Sequence, residues 1–132
     1  MSVKLGYTIL YVPDVKQAIA FYEDAFGLSR RFVHESGDYA EMETGATTLA
    51  FTSDGLASSN FEAAYRPADL DAPPPAFEIT LVTDDVSGAF AQATEAGAVA
   101  LAKPKKKPWG QMVSYVRDLN GVIVELCSPV GG

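Results

Sequence analysis

"YTILYVPDVKQAIAFYEDAF" (7–26) and "EITLVTDDVSGAFAQATEAG" (78–97) can be set one above the other without a gap. Six of the twenty paired positions are identical, among them Asp14 with Asp85 and Val15 with Val86. Self-similarity within one short chain is the signature of a repeat architecture. The sequence therefore predicts two copies of one structural unit.

Each copy has the pattern of a strand, an Asp-containing turn and a helix. The apolar residues that follow Asp14 recur at the spacing of one helical face, and the same holds after Asp85. An aspartate just before a helix can accept hydrogen bonds from its first N–H groups. After each helix come three strand-like runs separated by turns: "RRFVHE", "DYAEMET" and "TTLAFTS" in the first copy, and "AVALAKP", "QMVSYVRD" and "GVIVELCS" in the second. Each copy is thus predicted to be β-α-β-β-β.

These boundaries predict a single α+β domain over 1–132. Repeat one covers about 1–52, repeat two covers about 76–130, and 53–75 is a long linker rich in small residues and prolines. A connection of this length inside one domain is often a flap over a binding site. Two four-stranded sheets side by side can bury a shared concave face, so we expect a half-open mixed β-barrel around a central cavity.

Composition limits the partners. The formal net charge of −7 argues against nucleic acid and anionic membranes, since both select a basic surface. The basic run "KPKKKP" (103–108) is better explained as a solvated turn. Cys127 is the one cysteine, so no intrachain disulfide can form, and no apolar stretch reaches the length of a membrane span. No cleavage pattern follows the first apolar run, and we expect a cytoplasmic protein.

Glu125 interrupts the last apolar strand, "GVIVELC" (121–127). A buried carboxylate is costly unless it is paired, hydrogen-bonded, protonated or bound to a metal. Side chains alternate along a strand, which places Glu125 on the face away from the helix. Matching the turn glycines Gly45 and Gly121 puts Leu49 opposite Glu125 in the repeat, and the starts of the two repeats pair Tyr7 with Glu78. Internal symmetry therefore defines a quartet: Tyr7, Leu49, Glu78 and Glu125.

The chain resembles the vicinal oxygen chelate superfamily, which includes glyoxalase I, bleomycin-resistance proteins and extradiol dioxygenases. The resemblance covers essentially all 132 residues and is carried by "YVPDVKQAIAFYEDAFGL", "TLVTDDVSGAFAQATEAGA" and "KPWGQMVSYVRDLNGVIVELCSP". It implies the barrel fold, a small-molecule ligand and a homodimer. In metal-using members the quartet holds His or Gln, Glu, His and Glu, which bind one divalent ion.

Only Glu125 matches that metal pattern. Leucine cannot ligate a cation, and the single histidine of the chain, His34, lies outside the quartet. We therefore expect no tight cofactor, although Glu78 and Glu125 with water molecules could hold a hard ion such as Mg²⁺ or Mn²⁺ weakly. If the two carboxyls lie close together, repulsion would raise one pKa and create a proton-sharing acid–base pair. Alternatively, each is simply hydrogen-bonded by a neighbour such as Tyr7 or Tyr115.

Two functions remain open. The first is metal-independent binding of a small, partly apolar or aromatic molecule. The second is a lyase or isomerase activity that uses Glu125 and Glu78 as acid and base or on a weakly held ion. Whether the chain is an enzyme stays undecided at this point. Candidate ligand contacts, each of which could instead be a packing residue, are Tyr7, Leu49, Phe51, Trp109, Tyr115 and Arg117.

Overall fold

The computed structural model describes residues 1–130 of the chain. Its secondary structure follows the predicted repeat, with one additional helix in the linker. The first half comprises β1 (Tyr7–Val12), α1 (Val15–Phe26), β2 (Ser29–Val33), β3 (Tyr39–Glu43), β4 (Thr48–Ser53) and α2 (Asp54–Ser59). The second half comprises β5 (Glu78–Val82), α3 (Val86–Glu95), β6 (Val99–Lys106), β7 (Met112–Arg117) and β8 (Ile123–Cys127).

The two sheets have the same topology. Their strand orders are β1-β4-β3-β2 and β5-β8-β7-β6, with one parallel pair and two antiparallel pairs in each. The predicted α+β class and the two β-α-β-β-β modules are confirmed. No helix among residues 1–130 is both long and apolar enough to cross a membrane.

The helices begin where the aspartates predict. The Oδ1 atom of Asp14 accepts a hydrogen bond from the Gln17 N–H at 3.0 Å, and Oδ1 of Asp85 accepts one from the Gly88 N–H at 2.9 Å. These bonds satisfy backbone donors that have no partner inside the first turn of a helix. Helix α1 ends at Gly27, whose φ of 68° is in the left-handed region that a helix-terminating glycine adopts.

The chain folds as two compact units. Unit 1 contains residues 1–23 and 27–67, and unit 2 contains, of the residues described, 24–26 and 68–130. The 53–75 linker is therefore divided between them. Its first part is not irregular, because α2 begins there behind Ser53, whose hydroxyl accepts a hydrogen bond from the Leu56 N–H at 3.2 Å.

Each sheet has one face packed on a helix, called the helix face, and an opposite face, called the site face. In unit 1 the ring of Phe51 lies 5.0 Å from that of Tyr22 on α1, so Phe51 marks the helix face. In unit 2 helix α3 packs on β6, β7 and β8, where Val116, Val124 and Leu126 are buried. Glu125 alternates with Val124 and Leu126 and lies on the site face.

Candidate functional site

Glu78 and Glu125 lie close together on the site face of unit 2. Strands β5 and β8 are parallel neighbours, with Thr80 in register with Glu125 and Glu78 two residues before Thr80. Glu78, Thr80 and Glu125 therefore point to one side. The pKa of Glu125 is raised, first by burial and then by its hydrogen bond with Glu78 and the negative charge of that group. Two carboxyls in contact favour a state in which they share one proton.

The hydrogen bonds around this pair hold the two carboxyls differently. The Thr80 hydroxyl donates to Oε2 of Glu78 at 2.6 Å, and Glu78 is exposed. Glu125 is only partly exposed and interacts with the Tyr115 hydroxyl and the Cys127 thiol. Burial and then the contact with Glu125 raise the pKa of both Tyr115 and Cys127, so both stay protonated near neutral pH. Glu78 and Tyr115 thus act on the pKa of Glu125 in opposite directions, Glu78 raising it and Tyr115 lowering it.

Arg117 shares this site face, but its guanidinium is bound to the backbone. Its Nε donates to the Gly121 carbonyl at 2.8 Å, its Nη1 to that of Leu70 at 3.1 Å and its Nη2 to that of Ala72 at 2.7 Å. These bonds hold the end of the linker, and the ligand contact of Arg117 stays a prediction.

Trp109 lies on the turn between β6 and β7. Its side chain is exposed, and its indole N–H donates to Oε1 of Gln111 at 2.8 Å. This bond fixes one edge of the ring and leaves its faces accessible. The structure therefore places Trp109 where it can contact a flat molecule.

Two predicted contacts in unit 1, Leu49 and Phe51, lie on the helix face instead. Phe51 is fully buried against Tyr22, and Leu49, two residues earlier in β4, is 5% exposed. Both side chains therefore belong to the core beneath α1, and the prediction that they line the site face is wrong. Tyr7 does lie on the site face and is more than half exposed.

The residue equivalent to Glu125 is Ala50, not Leu49. Tyr7 is in register with Thr48, and Glu78 is in register with Ile123, so the third residue of β4 corresponds to the third of β8. That third residue is Ala50 in one sheet and Glu125 in the other. The shift by one residue corrects the quartet to Tyr7, Ala50, Glu78 and Glu125.

A polar network that the sequence analysis missed covers Ala50 on the site face of unit 1. Glu41 on β3 is in register with Ala50, and its Oε1 accepts from Nη1 of Arg31 at 2.9 Å. The Tyr39 hydroxyl donates to the other oxygen of Glu41 at 2.7 Å. Glu43 accepts from Nε of Arg31 at 2.7 Å, which lowers the pKa of Glu43. A signal was available in the sequence, because Tyr39, Glu41 and Glu43 alternate with apolar residues along "YAEME".

Aromatic side chains of the linker pack at the end of β1, on the site face of unit 1. Tyr11 on β1 packs against Tyr65 of the linker, with ring centroids 5.2 Å apart, and Phe61 packs on the other side of Tyr65 at 6.3 Å. The Tyr65 hydroxyl donates to Oδ1 of Asp54 at 2.6 Å, and this bond raises the pKa of Tyr65 to about 12. The first part of the linker is thus anchored to unit 1.

The residues at the corrected quartet do not fit the metal site that the resemblance implies. Ala50 has no donor atom, and Tyr7 offers a phenol where metal-using relatives have His or Gln. The nearest carboxylates in unit 1, Glu41 and Glu43, already bind the cation of Arg31. Among residues 1–130 no three His, Cys, Asp or Glu side chains gather in a group that could hold a metal ion.

Comparisons with known proteins agree with this fold. The chain is similar to a glyoxalase-related enzyme from Fulvimarina pelagi, with a TM-score of 0.82 and 18% identity over 96% of this chain and 88% of that one. It is also similar to TioX from Micromonospora sp. ML1, with a TM-score of 0.71 and 20% identity over 96% and 98% of the two chains. A superfamily member from Sphaerobacter thermophilus DSM 20745 gives a TM-score of 0.72 and 21% identity over 97% and 98%.

At these identities the solved structures support the fold alone, and a comparison with curated proteins finds no match. The family itself is shown by a sequence model that matches residues 4–126, nearly the whole chain. The chain belongs to the Glyoxalase/Bleomycin resistance protein/Dioxygenase superfamily.

Proposed function

We propose that this protein binds a small, partly apolar or aromatic molecule and does so without a tightly held metal ion. The observation that supports this most directly is Ala50. At the position where the second repeat has Glu125, the first repeat has a side chain without a donor atom. The adjacent Glu41 is bound by Arg31 and Tyr39, so it is not available as a replacement ligand.

Accessible ring surfaces are the second support. Tyr7 and Phe32 on the site face of unit 1 are each more than 40% exposed, and Trp109 in unit 2 is 61% exposed. Aromatic surface with an orienting polar group is the usual lining of a small-molecule site. The hydroxyl of Tyr39 and the indole N–H of Trp109 are both hydrogen-bonded within the protein, which fixes these two rings before any ligand arrives.

Ligand titration tests this proposal. Trp109 is the one tryptophan, so quenching of its fluorescence by a panel of flat aromatic molecules reports on ligands near the β6–β7 turn. Saturable binding that is unchanged after treatment with EDTA is the expected result. Ligand-observed NMR with Trp109→Phe separates true binding from simple optical quenching. A panel without any saturable binder, or binding that requires added metal, would count against the proposal.

The contact between Glu78 and Glu125 favours a second candidate function, proton transfer on a carbonyl compound. An acid pair with one shared proton can offer a carboxylate as base and a carboxylic acid as proton donor. In this account Thr80 keeps Glu78 oriented, and the raised pKa of Glu125 keeps it protonated closer to neutral pH. The expected reaction class is lyase or isomerase chemistry that begins at a carbon next to a carbonyl.

Hydrogen–deuterium exchange at that carbon distinguishes the two candidates. Carbonyl compounds incubated with the protein in D₂O would lose their α-proton signal faster than in buffer, and Glu125→Gln and Glu78→Gln would each remove the acceleration. Glu95→Gln serves as the control because Glu95 is exposed on the helix α3. Exchange no faster than in buffer, together with saturable binding, would leave the protein as a binding module.

A further inference from the structure

Arg31 lies on the site face of unit 1, at a β-bulge in β2. Arg30 is in register with Met42 and Phe32 with Glu41, so Arg31 is the extra residue of the bulged strand. The bulge puts Phe32 on the same face as Arg31, although regular alternation would place these two neighbours on opposite faces. Arg31 binds Glu41 and Glu43 on the site face, whereas Arg30 binds Glu23 of α1 through two hydrogen bonds on the helix face.

The guanidinium of Arg31 is held in place, but not all of its N–H groups are hydrogen-bonded. It has five N–H donors in one plane. Nε donates to Glu43, and Nη1 donates to Glu41 and to the Thr48 hydroxyl at 3.1 Å. Within residues 1–130 these bonds leave both N–H groups of Nη2 uncommitted, and one third of the side chain is exposed. A donor edge held in place by three partners loses little conformational entropy when it binds a ligand.

The local charge selects the kind of acceptor. Glu41 and Glu43 carry two negative charges against the single positive charge of Arg31. A ligand carboxylate at Nη2 would therefore meet a net negative environment at short range. A neutral acceptor, such as the oxygen of a ketone, amide or pyridone, gains the charge-assisted hydrogen bond without that repulsion.

Two aromatic rings belong to the same part of the site face as Arg31. Phe32 and Tyr39 are paired with centroids 6.0 Å apart, and Tyr39 donates to the same carboxylate of Glu41 that Arg31 binds. A ligand whose oxygen accepts a hydrogen bond from Nη2 can therefore also contact an aromatic ring.

We propose that Arg31 is a specificity-determining residue, which donates through Nη2 to a neutral carbonyl oxygen on a planar ligand. This inference rests on the proposed small-molecule binding and names the ligand class. It also describes how a guanidinium, rather than a metal ion, supplies the positive charge on the site face of unit 1.

Matched pairs of planar probes test the inference on the full chain. Xanthone and xanthene, and fluorenone and fluorene, differ mainly by the carbonyl oxygen, and xanthone-2-carboxylate adds a negative charge. Dissociation constants come from ligand-observed NMR. We expect Arg31→Met and Arg31→Lys to raise the dissociation constants of the carbonyl probes about tenfold, because each substitution removes one charge-assisted hydrogen bond. The dissociation constants of the probes without a carbonyl should change by less than about twofold. Arg30→Met is the matched control and should change neither.

Glu43→Gln provides a reciprocal test that does not depend on removing Arg31. Glu43 is more than half exposed, so the substitution should be tolerated, and it removes one of the two negative charges beside the guanidinium. Binding of xanthone-2-carboxylate should become several-fold tighter relative to xanthone.

The inference would be overturned if wild type and both Arg31 variants bound the carbonyl probes with equal affinity. It would also be overturned if Glu43→Gln left the ratio of the affinities for xanthone and xanthone-2-carboxylate unchanged. Either result would leave the proposed function intact. No binding of any probe to the wild type would overturn both.

Discussion

For Arg117, a contribution to stability can be measured separately from the predicted contact with a ligand. Arg117→Ala removes hydrogen bonds to the carbonyls of Gly121, Leu70 and Ala72, at distances of 2.7 to 3.1 Å. A hydrogen bond to a charged group contributes about 1.5–3 kcal/mol. Leu70 is exposed, so its carbonyl can bind water in the variant, and the total should be well below the simple sum. We expect the free energy of unfolding to fall by about 2–4 kcal/mol.

Urea unfolding followed by circular dichroism measures this loss, and hydrogen exchange locates it. The Ala72 N–H donates to the Asp69 carbonyl at 3.1 Å, inside the segment that Arg117 holds. Its exchange should accelerate in Arg117→Ala far more than exchange in β8. Arg117→Lys should recover only part of the stability, because one ammonium cannot reach three carbonyls in a plane. Arg66→Ala, at an exposed position, is the control.

A role of Arg117 in holding the linker would be refuted if Arg117→Ala unfolded at the same urea concentration as wild type but lost ligand affinity. Arg117 would then be a ligand contact, as the sequence analysis expected.

Three further predictions concern single side chains. Phe51→Ala should lower the free energy of unfolding by about 3–5 kcal/mol in a urea titration, and a loss under about 1 kcal/mol would show that Phe51 is not in the core. Gly121→Ala should lower the free energy of unfolding clearly more than Gly45→Ala. Both glycines have φ near +90°, but only at Gly121 would a Cβ collide with Arg117 and the linker backbone. Equal losses would contradict that contact. Because the pKa of Glu125 is raised by folding, its stabilising contribution is complete below pH 4.5 and is lost as pH rises through the folded-state value. Glu125→Gln should flatten that decline in stability curves measured across pH, and an unchanged slope would show that Glu125 is not its source.

The repeat, the helix starts and the acid pair could be predicted because each depends on local pattern. Asp14 and Asp85 cap their helices as predicted, and Glu78 and Glu125 follow from strand parity once β5 and β8 are neighbours. Patterns of period two and period 3.6 are properties of short segments and survive without knowledge of tertiary contacts.

The register of β4 could not be predicted from the turn glycines. Gly45 and Gly121 are equivalent in conformation, yet β4 begins three residues after Gly45 and β8 begins two residues after Gly121. An alignment that starts from the glycines is therefore shifted by one residue. In a strand such a shift exchanges the two faces. For this reason Leu49 was assigned to the site face, whereas Ala50 lies there.

The network around Arg31 was missed for a related reason. A bulge is an extra residue in a pairing with another strand, so the sequence of β2 alone does not reveal it. In the sequence Arg30 and Arg31 are two adjacent basic residues, and nothing in β2 shows that Arg31 and Phe32 share the site face with Glu41. The bonds from Arg117 to the linker were not predicted because their acceptors are backbone carbonyls of a distant segment, and a backbone carbonyl is present at every residue whatever the sequence.

The metal content of the purified protein tests most directly whether it binds its ligand without a tightly held metal ion. Protein purified without chelator and analysed by inductively coupled plasma mass spectrometry should contain far less than one divalent ion per chain, including after incubation with Mn²⁺ or Ni²⁺ and gel filtration. Glu125→Gln and the control Glu95→Gln should give the same low values. One ion per chain that is retained by Glu95→Gln and lost in Glu125→Gln would contradict the claim that this protein binds its ligand without a tightly held metal.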